Sequence, residues 1–272
     1  MNAVAAGLEA IVGRVRAAQD EARNIECLSA DPAFDLAAGY RVGRLVHETR
    51  VAQGRRVLGR KIGFTNAAMW EAYGVRAPIW GYMYDSTVTR VGPGASFSLR
   101  GLADPKIEPE IALHFRNAPP DGADAAAILA CVDEAAHVFE IVQTHFAGWK
   151  FKAPDTVADN GLHGALLLGR AQPIASLGAD PAASLAECSV ALTSSNGVRD
   201  IGKGANALGN PLIAIAHLVD VLAKQDPLAP IQAGEWITTG TLTAAYPIKP
   251  GETWTTAVSG IALPGLAVTF TE

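Results

Sequence analysis

The chain has 272 residues, 49% of them hydrophobic and 18% charged, with a formal net charge of −5 at pH 7. That length can bury a full core in one large domain or two unequal ones, and the apolar share excludes a disordered chain. The acidic balance, with no basic run longer than Arg55-Arg56, argues against a nucleic-acid partner. Cys27, Cys131 and Cys188 are far apart, odd in number and without metal-ligand spacing, as expected in a reducing cytoplasm. Glu9, Arg14 and Arg16 interrupt any apolar leader, and no run reads as a membrane span, so the expectation is a soluble cytoplasmic protein with no membrane attachment.

Residues 3–24 carry Leu8, Ile11, Val12 and Val15 at helical spacing, and residues 35–53 show a looser stripe through Leu36, Tyr40, Val42, Leu45 and Val46. From Val57 the texture changes to short apolar runs broken by Gly and Pro, which predicts a β-rich body. Strands are expected near 57–63, 106–115, 137–144, 188–194, 235–239, 253–259 and 266–271. A helix over 124–136 and another starting at Asn210-Pro211 interrupt them, the second with a capping Asn and Pro in its first turn. Asp226–Pro230 reads as a loop. The sum is an α+β fold: a small helical part over residues 1–56 on a β-rich catalytic body over 57–272 with a large mixed or rolled sheet.

Lys106-Ile107-Glu108-Pro109-Glu110-Ile111-Ala112-Leu113 reads as a strand with two carboxylates on one face and Ile107, Ile111 and Leu113 on the other. Alternate Cα atoms of a strand lie roughly 6.6 Å apart, so both carboxylates can reach one small cation. Glu140 is a lone acid in the apolar run Val138-Phe139-Glu140-Ile141-Val142. Glu108, Glu110 and Glu140 together would form an all-oxygen site suited to Mg²⁺ or Mn²⁺. The alternative is that the first two line a solvated face while Glu140 pairs with a core Arg or Lys. Lys61, within Gly59-Arg60-Lys61-Ile62-Gly63, is a candidate acid or base if partly desolvated, or else an edge-strand lysine reaching water.

Asp155-Thr156-Val157-Ala158-Asp159-Asn160-Gly161, after the Gly148-Trp149-Lys150-Phe151-Lys152 loop, is polar enough to line a site or to satisfy tight turns. His163 is a candidate proton carrier or a hydrogen-bonded loop residue. Gly202-Lys203-Gly204 is a weak anion-site signal, matching neither nucleotide fingerprint. Thr238-Thr239-Gly240-Thr241 ends a strand with hydroxyls and N–H groups, a candidate carboxylate cradle.

Taken in order over about residues 57–271, these motifs resemble the hydratase/decarboxylase branch of the fumarylacetoacetate hydrolase superfamily. The resemblance is carried by Gly59-Arg60-Lys61-Ile62-Gly63-Phe64-Thr65, Pro78-Ile79-Trp80-Gly81, Lys106-Ile107-Glu108-Pro109-Glu110, Glu140-Ile141-Val142, Asp155-Thr156-Val157-Ala158-Asp159-Asn160, Leu208-Gly209-Asn210-Pro211-Leu212 and Thr239-Gly240. It implies the superfamily's mixed β-roll with an N-terminal helical part. It also implies Mg²⁺ or Mn²⁺ held at Glu108, Glu110 and Glu140, and acid–base chemistry at Lys61. Gly161-Leu162-His163 departs from the small residues and serine common in this branch, which keeps His163 as a second catalytic candidate. Ile79, Lys150, Asp159, Asn160, Thr239, Gly240 and Thr241 become candidate substrate-binding positions. The implied substrates are short unsaturated 2-oxo acids from aromatic meta-cleavage. A homo-oligomer is implied too, with association with a pathway hydratase or decarboxylase as a further expectation.

The branch point is Ile79. Hydratases of this kind usually carry Asp after the proline, whereas Pro78-Ile79-Trp80-Gly81 looks more like the 4-oxalocrotonate decarboxylases, as do Pro105-Lys106-Ile107-Glu108 and Leu242-Thr243-Ala244-Ala245. The preferred expectation is a metal-dependent decarboxylase of a 2-oxo-3-enedioate. The alternatives are a 2-oxopent-4-enoate hydratase, a C–C hydrolase using a His163-activated water, and a non-catalytic partner subunit.

Overall fold

The computed structural model describes residues 3–67, 70–225 and 230–272. Most of the loop expected at Asp226–Pro230 lies outside the described residues. In chain order the elements are α1 (Ala3–Glu21), α2 (Leu36–Ala52), β1 (Val57–Gly63), α3 (Trp70–Tyr73), β2 (Ile79–Tyr84), β3 (Val88–Arg90), β4 (Ala95–Ser98) and β5 (Lys106–Phe115). There follow α4 (Ala125–Cys131), β6 (Val132–Val142), α5 (Ala153–Ala158), β7 (His163–Leu168), β8 (Gln172–Pro173), α6 (Pro181–Glu187), β9 (Ser189–Ser194) and β10 (Arg199–Lys203). The chain ends with α7 (Pro211–Lys224), β11 (Trp236–Thr238), β12 (Tyr246–Pro247), β13 (Thr253–Ser259) and β14 (Ala267–Thr271).

Two sheets organise the body. The larger runs β2-β1-β11-β5-β6-β7-β3, with β12 on β5 and β8 on β6, and the smaller runs β10-β9-β13-β14-β4. The larger sheet is mixed, because β1 pairs parallel with β11 while β11, β5, β6 and β7 are antiparallel in turn. One of its faces carries Ile62, Ile111, Leu113 and Ile237 against Leu212, Ile215 and Leu218 of α7. Farther along the strands, Ile107, Phe139 and Ile141 pack on Trp254, Val268 and Phe270 of the smaller sheet. The opposite face holds Ala112, Val138, Leu166 and Met83. It is the face of Glu108, Glu110 and Glu140, by strand alternation.

The N-terminal helices bury Val12, Val15, Val42 and Val46 with Ala158 of α5. Helix α2 approaches α5 closely: a Cβ on Gly39 would stand 2.4 Å from Pro154 O, and one on Gly43 2.8 Å from Val157 O. Asp155 of α5 ties the segment before α2 to that helix, accepting from Ser29 N at 2.9 Å, and accepts from its own N-cap residue, Lys152 N, at 2.8 Å.

Helix α7 starts as the sequence predicts, with the Asn210 side chain accepting from Leu212 N at 2.9 Å. Residues 204–224 are apolar enough in composition and length to cross a membrane. Left-handed Leu208 and Gly209 nevertheless break that stretch before α7, whose Leu212, Ala214, Ile215 and Leu218 are core residues. The glycines of Gly202-Lys203-Gly204 also have a packing reason, since Cβ atoms there would meet Leu242 O at 2.0 Å and Leu185 O at 1.8 Å.

One expected helix is overturned. The sequence predicts helix over 124–136, but α4 stops at Cys131 and β6 begins at Val132, ending at Val142 rather than residue 144. Ala135 and Ala136 favour helix intrinsically. Pairing opposite Leu113 and Ala112, where all four side chains are buried, overrides that preference.

Strand β1 sets the site's position, and Gly59 lets it dock. A Cβ on Gly59 would lie 1.7 Å from the Trp236 carbonyl oxygen of β11. On one face Arg60 pairs with Glu235 at 3.0 Å, both buried, under Trp80 and Tyr82. Gly59→Ala is therefore expected to cost about 3 kcal/mol or more, at the severe end for one substitution. Urea denaturation of the variant measures it, and unchanged stability would contradict the docking described.

Candidate active site

Register brings the three glutamates together. Glu108 of β5 lies directly opposite Glu140 of β6, and Glu110 follows two residues on, on the same face. One carboxylate oxygen from each lies within 4.8 Å of the others. Glu110 and Glu140 have no exposed surface, so the solvated-face alternative fails for Glu110, while Glu108 is half-buried. Glu110 Oε2 accepts from Gly240 N at 2.8 Å, and its Oε1 is buried without a hydrogen-bond partner among the described residues. A buried carboxylate oxygen left bare beside two further carboxylates is what a hard cation would satisfy. These residues could hold a divalent metal ion.

Gly240 is required here twice. Its φ of +95° suits glycine, and a Cβ would stand 1.9 Å from Thr65 Oγ1. The cradle read at 238–241 thus holds the protein's own Glu110. Thr239 Oγ1 donates to Ile111 O at 2.9 Å and Thr241 Oγ1 to Thr243 O at 3.0 Å, so both hydroxyls are bound to backbone.

Lys61 emerges on the face of β1 opposite Arg60 and is buried, its Nζ 3.2 Å from Glu140 Oε2. The alternative that Glu140 pairs with a core lysine is therefore met, together with the three-carboxylate cluster and not instead of it. Burial by itself would lower the Lys61 pKa, but Glu140, then Glu108 and Glu110, outweigh it and hold the amine above its ordinary value. Burial, reinforced by the neighbouring Glu140, pushes Glu108 up to about 7 against the opposing pull of Lys61. Burial, then Glu140 and Glu108, raise Glu110 well above the carboxylate range. Glu140 is pushed up by burial too, yet Lys61 and His163 prevail and leave it lowered.

His163 has both ring nitrogens engaged: Nδ1 with Glu140 Oε1 at 2.9 Å and Nε2 with Thr87 Oγ1 at 2.9 Å. It holds Glu140 and presents no free nitrogen to a water. Ile79 is buried beside the amine; its Cγ1 and Lys61 Nζ lie 3.1 and 3.4 Å from the point a Cβ on Gly63 would occupy.

Other sequence candidates are spent on scaffold. Asp159 binds His145 Nδ1 at 2.8 Å and Gln19 Nε2 at 3.1 Å. The Asn160 amide pairs with both backbone groups of Tyr82, at 2.8 and 2.9 Å. The Lys150 side chain is exposed, and its carbonyl accepts from Cys27 Sγ. Sequence reasoning missed Thr87, His145 and the pair Lys106–Trp149, in which Nζ sits 3.8 Å from the indole centroid. For Lys106 a signal existed: it shares a strand face with Glu108.

No family model matches the chain. It is 31% identical to a 2-keto-4-pentenoate hydratase of Burkholderia vietnamiensis over 97% of this chain and 98% of that protein. It is 30% identical to a 4-oxalocrotonate decarboxylase of a Pseudomonas species, over 85% and 84% respectively. The chain belongs to this hydratase/decarboxylase family of the fumarylacetoacetate hydrolase superfamily. A solved family member, 4-oxalocrotonate decarboxylase from Pseudomonas putida complexed with magnesium and adipate, superposes with a TM-score of 0.88 at 26% identity, covering 97% of each chain. Fumarylpyruvate hydrolase from Pseudomonas aeruginosa, in complex with Mn²⁺ and pyruvate, has a TM-score of 0.56 at 14% identity and shares the fold alone. The expected α+β superfamily fold is therefore found, and the chain is an enzyme of this family rather than a silent subunit.

A pH signature follows from the raised carboxylates of this family member. With Glu108 at about 7 against an ordinary 4.5, the folded metal-free protein binds more protons than the unfolded chain between those values. The stability contributed by that group is complete below 4.5 and is lost as pH rises through about 7. Chelator-treated protein should melt several degrees lower at pH 8 than at pH 6, and saturating Mg²⁺ should narrow the gap because cations bind the deprotonated cluster. Differential scanning calorimetry checks this. Melting that rises with pH under chelator, or ignores Mg²⁺, would contradict the assignment.

Proposed function

We propose that the chain is a divalent-metal-dependent lyase acting on short unsaturated 2-oxo acids, and that its preferred reaction is decarboxylation of a 2-oxo-3-enedioate. The observation that carries the choice is Ile79 beside the Lys61 amine. An apolar side chain gives an attacking water no acceptor, a lack that hydration feels and decarboxylation, which consumes no water, does not.

Glu108, Glu110 and Glu140 would hold Mg²⁺ or Mn²⁺, a choice supported by their all-oxygen donor set. The ion would supply Lewis acidity towards the 2-oxo acid group of the substrate. His163 fixes one oxygen of Glu140 and Gly240 N–H one oxygen of Glu110, so neither carboxylate has to reorganise. As the C–C bond to the distal carboxylate breaks, its electron pair moves through the double bond to the carbonyl oxygen and CO₂ leaves. Lys61 Nζ, paired with Glu140, then supplies a proton to carbon. The occupied nitrogens of His163 weigh against a C–C hydrolase.

The hydratase reading stays second because several relatives matched over more than nine-tenths of the chain carry that name. A cytoplasmic location fits the three free cysteines. A homo-oligomer, with or without a pathway hydratase beside it, belongs to the same reading and rests on family resemblance.

The experiment supplies Mg²⁺ with a 2-oxo-3-enedioate or with 2-hydroxypenta-2,4-dienoate, following CO₂ release and dienol absorbance separately. CO₂ release is expected, and Ile79→Asp should depress it at least about tenfold, because a further carboxylate near Lys61 would compete with Glu140 for the ammonium that supplies the proton. Hydration of the dienoate without CO₂ from the enedioate would replace this reading by the hydratase.

A further inference from the structure

We infer that Lys106, seated on the indole of Trp149 at the rim of the glutamate cluster, recognises the distal carboxylate of a dicarboxylic substrate. The inference deepens the proposed lyase reading and rests on it. Lys106 and Glu108 are two residues apart on β5, so their side chains leave the same face of the sheet. Lys106 Nζ stands 3.8 Å from the Trp149 ring centroid. Trp149 is itself fixed: its Nε1 donates to Asp104 O at 3.1 Å, and it takes a φ of +58° directly after left-handed Gly148. A bulky residue in that conformation persists only where its surroundings demand it. Phe151 packs against Trp149 and also against Tyr73, which stacks on Phe64 at 4.5 Å, so an aromatic band extends from the indole to the segment just after Lys61.

The charge balance identifies what this cation is for. Inside the cluster three carboxylates face one buried ammonium, Lys61, which already pairs with Glu140. A divalent ion there completes neutrality and leaves no surplus positive charge for two further carboxylates of a substrate. The 1-carboxylate can use the ion. The distal one needs a separate cation, and Lys106 is half-buried, electrostatically close to Glu108 and Asp104, and makes no contact ion pair among the described residues. A lysine held on an indole face keeps its charge and remaining donors available. A monocarboxylic substrate would gain nothing from it. The same residue thus favours dicarboxylic over monocarboxylic 2-oxo acids, as Ile79 favours loss of CO₂ over addition of water.

The test compares 2-oxoadipate with 2-oxohexanoate, saturated analogues that differ only in the distal carboxylate, by calorimetric titration into Mg²⁺-loaded full-length protein. Wild type should bind 2-oxoadipate at least about tenfold more tightly. Lys106→Met should erase that preference while 2-oxohexanoate affinity holds within about twofold, and Lys106→Arg should retain most of it. With an enedioate as substrate, the loss in Lys106→Met should fall mainly on KM. Equal weakening of both analogues, or an undiminished preference in Lys106→Met, would overturn the inference, and so would a wild type that does not discriminate. Lys106→Arg guards against misfolding as the cause, since it keeps charge and length. Failure of the lyase reading is separate: a dicarboxylate preference that depends on Lys106 without CO₂ release from any enedioate would leave recognition standing and remove the reaction.

Discussion

Three carboxylates and one ammonium share the buried face of a β-sheet, and the rest of the site is arranged around that charge balance. Like charges so close, and out of water, repel strongly unless a proton or a cation intervenes. The protein meets this by leaving Glu108 and Glu110 with raised proton affinity while the Lys61 ammonium stabilises Glu140 as a carboxylate. Protons are thereby stored where a divalent cation can displace them. The bare Oε1 of Glu110 is the geometric trace of the same arrangement.

Strand β1 shows how the sheet tolerates two adjacent buried cations. Arg60 and Lys61 leave opposite faces, each meeting its own glutamate, Glu235 and Glu140. The first pair, sandwiched with Trp80 and Tyr82, locks β1 to its neighbours, and the second faces the site. Holding both requires backbone contacts that no side chain would permit, at Gly59 against β11 and at Gly81 against Asn160. Asn160 and Asp159 stand one layer out, tying β2 and the N-terminal helices to the loop that leads into His163. The helical part is joined to the site through that hydrogen-bonded layer.

Much of this was legible locally. Alternation along Lys106–Leu113 puts Glu108 and Glu110 on one face whatever lies beside the strand, and Asn210-Pro211 announces α7 by capping alone. Register was not legible, because it is set between segments: nothing within 132–142 says that Glu140 will stand opposite Glu108. The helix preference of Ala135 and Ala136 even pointed the wrong way until burial decided it. Strands β2 and β7 escaped because they are buried on both faces and lack alternation. Polar residues were the hardest to sort. Asp159, Thr239 and Asn160 have the composition of a binding loop but make hydrogen bonds within the scaffold, whereas nothing local to Lys106 announces its seat on Trp149.

The central claim is that Glu108, Glu110 and Glu140 hold one divalent cation against Lys61. Anomalous diffraction from crystals soaked in Mn²⁺ tests it most directly, because the ion's position is read without reference to activity. The account predicts one strong peak within about 2.0–2.6 Å of a carboxylate oxygen from each of the three glutamates. No peak in the cluster, or a peak bound by other residues while the three carboxylates stay as they are, would contradict it.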